Sequence, residues 1–169
     1  MIKLHLGCGG NYLGGYINID AIPTLATDKI ADITDLSKEY ENNSIEEILN
    51  EHVIEHLSKE DGKKALKHWY NLLKTGGKLI IECPDFLQTM KQFFDVPLKF
   101  QGIGVYADGN RLHNIYGAQD NKYQFHKWGY WPDSMKKILN NIGFKEIKFV
   151  SPATYHAQEE PCMRVKAIK

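Results

Sequence analysis

Two imidazoles and two carboxylates crowd into Glu51-His52-Val53-Ile54-Glu55-His56. If that segment turns helically, His52, Glu55 and His56 share one face through their i, i+3 and i+4 spacing. Two neutral imidazoles and a carboxylate are a donor set for a divalent metal ion. His126 stands far along the chain in Tyr123-Gln124-Phe125-His126-Lys127-Trp128. With an unperturbed pKa of about 6.5, its neutral ring can take a proton from a hydroxyl whose oxygen is becoming a nucleophile. His113 is a weaker candidate for that work. A third group is Leu6-Gly7-Cys8-Gly9-Gly10-Asn11, followed by Asp20. Glycines there let backbone approach a ligand closely, and an acid can accept from both hydroxyls of a ribose. The dinucleotide pattern GxGxxG does not fit, because its third glycine would fall at Tyr12.

Strands and helices must hold these groups. Residues 2–6 alternate apolar and polar and stop at the glycines, as a strand entering a turn does. Further strands are expected at 16–20, 29–33, 46–50, 78–83, 145–150 and 163–168. Residues 59–74 form the clearest helix: Ser58 caps it, Glu60 and Asp61 suit its first turn, and Ala65, Leu66, Trp69, Leu72 and Leu73 make one apolar face. Gly76-Gly77 is expected to end it. A second helix is expected over 133–141, ending at Gly143. Alternating strands and helices imply an α/β fold, an open, mostly parallel seven-stranded sheet in one domain over 1–169.

Only residues 7–15 separate the first two strands, fewer than the dozen or so that a crossover helix needs. The fold is therefore a compact one, with reduced helices after strands one and two. One sheet face is left open, to be covered by residues 85–131 or by a second copy in a homodimer. Residues 86–131 also hold most of the aromatic residues, as core or as an insertion lining a substrate site. There aromatic faces can stack on a sugar or base, with Asn110, Arg111 and Gln119 hydrogen-bonding to it.

The 21 basic and 21 acidic residues balance, so no overall charge points to nucleic acid or an anionic membrane. No apolar run approaches the ~20 residues of a membrane span. Three scattered cysteines, Cys8, Cys83 and Cys162, form no CxxC pair and suit a reducing setting. With no signal-peptide pattern at the start, a cytoplasmic protein is expected.

The glycine loop with Asp20 resembles motif I of class I S-adenosylmethionine (SAM) dependent methyltransferases. Asn43-Ser44-Ile45-Glu46-Glu47-Ile48 is similar to their entry to strand four, Leu73-Lys74-Thr75-Gly76-Gly77 to the LKPGG signature before strand five, and residues 128–144 to the late helix ending in GF. The likeness is greatest to a compact group with LGCGxN, HVxEHL and HKxG patterns, often associated with glycan pathways. The resemblance implies a Rossmann-like fold and SAM as cofactor. It implies contacts to SAM from Leu6, Gly7, Cys8, Gly9, Asp20, Glu51 and His52. An acid with the next backbone N–H would hold adenine: Asp35 with Leu36, or Asp32 with Ile33, the former fitting the spacing slightly better. The expected activity is O-methyl transfer to a small-molecule or sugar hydroxyl, with His126 assisting. A binding protein for SAM or its demethylated product is the rival from another class. His-x-x-Glu-His also matches the inverzincin peptidase pattern, so His52, Glu55 and His56 are candidates for a metal-dependent hydrolase, for a metal beside the cofactor, or simply for a turn shaping the pocket.

Overall fold

A computed structural model of the chain describes residues 1–95, 114–154 and 161–169. Its seven strands are β1 (Lys3–Leu6), β2 (Ile17–Asp20), β3 (Lys29–Ile30), β4 (Ile45–Glu51), β5 (Leu73–Pro84), β6 (Lys145–Val150) and β7 (Cys162–Ile168). The helices are α1 (Lys59–Leu72), α2 (Phe86–Asp95) and α3 (Pro132–Ile142). The strands lie in the order β3-β2-β1-β4-β5-β7-β6. All neighbours are parallel except β7, which runs antiparallel to both β5 and β6. The expected seven-stranded, mostly parallel α/β sheet is present.

Local sequence explains most boundaries. The Ser58 side chain accepts from the Asp61 N–H at 3.1 Å and starts α1. Ala65, Leu66, Trp69 and Leu72 are buried against Leu4, Ile48, Leu79 and Ile81 of the sheet, and Met135 and Leu139 of α3 join them. Each leucine, isoleucine or methionine among them contributes roughly 1.5–3 kcal/mol by leaving water. Gly76-Gly77 does not end α1: the chain is already extended at Leu73, where β5 begins. Gly76, at φ +79°, lies in an irregularity where β5 bulges between its pairings to Ile45 and Glu47. β3 is shorter than expected because Asp32 turns the chain, accepting from the Thr34 N–H at 2.8 Å and its hydroxyl at 2.7 Å.

Strand residues alternate between faces. Those opposite the α1–α3 core carry a polar network. His5 Nδ1 is 3.0 Å from Asn18 Oδ1, and Lys78 donates to Glu47 at 2.9 Å. Tyr16 donates to the same carboxylate. Burial and Glu47 together keep the Tyr16 phenol protonated. The short links after β1 and β2 contain no helix, and the same face also carries the buried Leu49 and Ile80. Part of the expected cover, residues 96–113, lies outside the described residues.

Candidate functional site

At the carboxyl ends of β1, β2 and β4 the chain turns sharply. The Gly7 and Cys8 N–H groups donate to the Ile19 carbonyl at 2.7 and 3.1 Å. Gly7 and Gly9 hold φ of +73° and +52°. A Cβ on Gly7 would run into Val53, whereas one on Gly9 would meet nothing within 4 Å. Gly7 thus fits the loop to β4, and Gly9 opens on empty space. Asp20 latches the loop, one carboxylate oxygen accepting from the Gly9 N–H at 2.8 Å and the other from the Ile22 N–H at 3.1 Å.

A cavity of about 970 Å³ begins at Gly7, Cys8 and Gly9, passes Glu51 and His52, and ends at Glu55, His56 and His126. That is the upper end of the usual range for small-molecule sites, ~300–1,000 Å³, and Asp20, Asp32 and Asp35 are not among the residues that line it. Cys8 is buried in its wall with Sγ 3.7 Å from Thr27 Oγ1, and burial raises its thiol pKa.

Not every expected contact reaches this space. The Leu6 side chain is buried in the core and its carbonyl accepts from Asn50 at 3.0 Å. Leu36 is wholly buried, and its N–H donates to His68 Nε2 at 2.8 Å. That donor is therefore spent. Asp35 accepts from the Ser37 N–H, and the Ser37 side chain together with that N–H draws its pKa down. Ile33, beside Asp32, has an N–H with no hydrogen-bond partner among the described residues, and neither Asp32 nor Asp35 lines the cavity.

His52, Glu55 and His56 do not form one helical face. His52 is at φ +54°, before a single 3₁₀ turn over Ile54–His56. Its Nε2 is 3.1 Å from Thr154 Oγ1 and 3.8 Å from Glu82, which turns the ring toward β5. His126 takes the expected place of His52. The Lys127 and Trp128 N–H groups donate to the Glu55 carbonyl at 2.8 and 3.2 Å, laying this segment against the turn. The His56 and His126 rings meet edge to face, 4.8 Å between centres. One ligand atom from each of Glu55, His56 and His126 lies within 4.8 Å of the others. Of the other expected residues, Gln119 is exposed, and Asn110, Arg111 and His113 lie outside the described residues. Among the aromatic residues Tyr130 is core, while Tyr116, Tyr123 and Phe125 are exposed.

Glu82 and Arg164 are not among the residues expected from the sequence. Glu82 is fully buried on central strand β5, where it accepts from the Ala153 and Thr154 N–H groups at 2.8 and 3.0 Å, from the Thr154 hydroxyl and from Arg164. Despite burial, these donors hold its pKa far below the usual carboxylate range. Arg164 also grips Glu51 at 2.6 Å. An acid inside the apolar run Leu79-Ile80-Ile81-Glu82-Cys83 was the available signal.

A methyltransferase-domain family matches residues 24–81. The whole architecture superposes on solved SAM-dependent methyltransferases. The protein of Archaeoglobus fulgidus is 16% identical, with TM-score 0.64 over 99% of this chain and 85% of that one. For Methanosarcina mazei the figures are 12%, 0.66, 99% and 91%. The chain has the fold of class I SAM-dependent methyltransferases. A third methyltransferase of this fold, from Thermotoga maritima, is 15% identical with TM-score 0.60, covering 99% of this chain and 82% of that one. No curated protein matches in sequence. SAM is the methyl donor that the family match implies, and Gly9 lies beside open space at the cavity. Among the described residues, no helix is long and apolar enough to cross a membrane.

Proposed function

We propose that this protein is a SAM-dependent methyltransferase acting on the hydroxyl oxygen of a small molecule, with sugars the first class to try. The carrying observation is one continuous cavity, with the glycine loop at one end and Glu55, His56 and His126 at the other. SAM, when bound, supplies a methyl group already electrophilic on its sulfonium. The chain's own work is alignment, exclusion of water and handling of the acceptor's proton. Gly7 and Gly9 admit the methionine end, Asp20 holds ribose, and Asp32 with the Ile33 N–H holds adenine. Glu51, fixed by Arg164, and His52, fixed by Thr154, form the wall between the two ends. His126 Nδ1 lies 2.8 Å from the Asn114 carbonyl. That oxygen can only accept, so the neutral ring carries its proton on Nδ1 and its lone pair on Nε2. This is the tautomer that draws a hydroxyl proton.

Calorimetric titration with SAM and with its demethylated product tests the cofactor half. Saturable binding, weakened in Asp20→Ala, is expected; no binding by folded protein would end the proposal. Methyl release to a panel of activated sugars tests the other half, and His126→Ala should slow turnover while leaving SAM affinity within about twofold. Binding without turnover on any hydroxyl, amine or carbon acceptor would favour a protein that only senses the cofactor.

A further inference from the structure

The Glu55 side chain has a local difficulty that the proposed reaction leaves unresolved. It is 3% exposed, and neither carboxylate oxygen has a hydrogen-bond partner among the described residues. His52 Nδ1 approaches Oε1 only to 3.6 Å. Buried carboxylates are ordinarily paired, hydrogen-bonded or bound to a cation, because an ion taken from water without compensation is strongly disfavoured. Beside Glu55 lie the rings of His56 and His126, each with Nδ1 at a backbone carbonyl: His56 at Phe125 (3.2 Å) and His126 at Asn114 (2.8 Å). A carbonyl behind Nδ1 fixes the tautomer of a metal-binding histidine and makes Nε2 its ligand atom.

We propose that Glu55, His56 and His126 bind one divalent first-row transition ion at the acceptor end of the cavity. Two imidazoles and a carboxylate suit manganese, iron, cobalt or zinc better than magnesium, which prefers an all-oxygen shell. The ligand atoms lie within 4.8 Å of one another. Three protein ligands leave coordination positions open, and these face the cavity that the three residues line. Resting on the reading of this site as a hydroxyl methyltransferase, the ion would take the acceptor oxygen, position it and make its proton more acidic. His126 then acts as a ligand rather than as the base, and the favoured acceptors carry hydroxyls that can chelate, such as vicinal diols.

The competing explanation is water. A second cavity of about 10 Å³, lined by Glu55, Asn114 and His126 among others, is roughly the size of one water molecule. Manganese(II) separates the two. Full-length protein stripped with chelator and then titrated with MnCl2, with free ion counted by electron paramagnetic resonance, should take up one ion per chain. Glu55→Gln and His56→Ala, each checked for folding by circular dichroism, should both weaken uptake about tenfold or more. Failure to take up the ion, or uptake undiminished in either folded variant, overturns the site and leaves water beside Glu55. If Glu55→Gln does not fold, His56→Ala decides alone, since His56 is only partly buried. The same protein titrated with SAM keeps the two proposals apart. SAM binding without manganese uptake removes only the metal, and manganese uptake without SAM binding removes only the cofactor reading.

Discussion

Replacing Gly9 with alanine separates folding from cofactor binding. The backbone there has φ +52°, and an added Cβ meets no protein atom within 4 Å. The folding cost is therefore the left-handed backbone alone, about 1 kcal/mol. In a chain of this length that lowers Tm by roughly 2–4 °C. The methyl group projects from a residue that lines the large cavity. If SAM passes against Gly9, the added group overpacks the complex by about 1–3 kcal/mol. That corresponds to a roughly 5- to 150-fold weaker Kd. Thermal melts and calorimetric titration with SAM read the two quantities independently. Wild-type affinity in a variant with the small expected Tm loss would refute the placement of the cofactor against the loop. Gly7→Ala is not a substitute, because its methyl collides with Val53 and any lost binding would follow lost structure.

Two further outcomes follow from buried polar groups. His68 accepts the Leu36 N–H, and burial lowers its pKa while Asp35 pulls the other way. A depressed folded pKa means that its stabilisation is complete above the unfolded value of about 6.5 and is lost as pH falls through the folded value. Tm should therefore drop as pH falls below about 6.5, and His68→Gln should flatten that slope; an unchanged slope would assign it to another group. Glu82→Gln leaves Arg164 with Glu51 as its one carboxylate partner and weakens the hold on residues 153–154, so urea unfolding should show a loss of about 3 kcal/mol. A loss below about 0.5 kcal/mol would mean that the loop is held by other contacts.

What was legible in the sequence was what repeats along it. α1 and α3 carry apolar faces at helical spacing, and β1, β4 and β5 end in turn residues, so element type and order could be read directly. The glycine loop was legible because two glycines and an acid sit at strand ends. What escaped was set by pairing between distant segments. His126 reaches His56 because the Lys127 and Trp128 N–H groups bind the Glu55 carbonyl, about seventy residues away. No local pattern announces that. His52 leaves the cluster through one left-handed backbone angle, which the expected helical spacing hid. The Leu36 N–H, expected to be open to a ligand, is taken by His68 on α1, a partner thirty-two residues away. Glu82 was passed over because its neighbours made the strand read as uniformly apolar.

The place of β7 in the sheet also orders events during synthesis. β5 and β6 leave the ribosome before it, yet they do not touch each other as neighbours; β7 enters between them, antiparallel to both. Until residues 162–168 emerge, β6 has no sheet partner and Glu82 lacks Arg164. The cavity wall at Glu51 stands without the guanidinium that fixes it. A nascent chain can thus complete the α1 side of the core early while the Glu51 wall of the cavity stays unfinished.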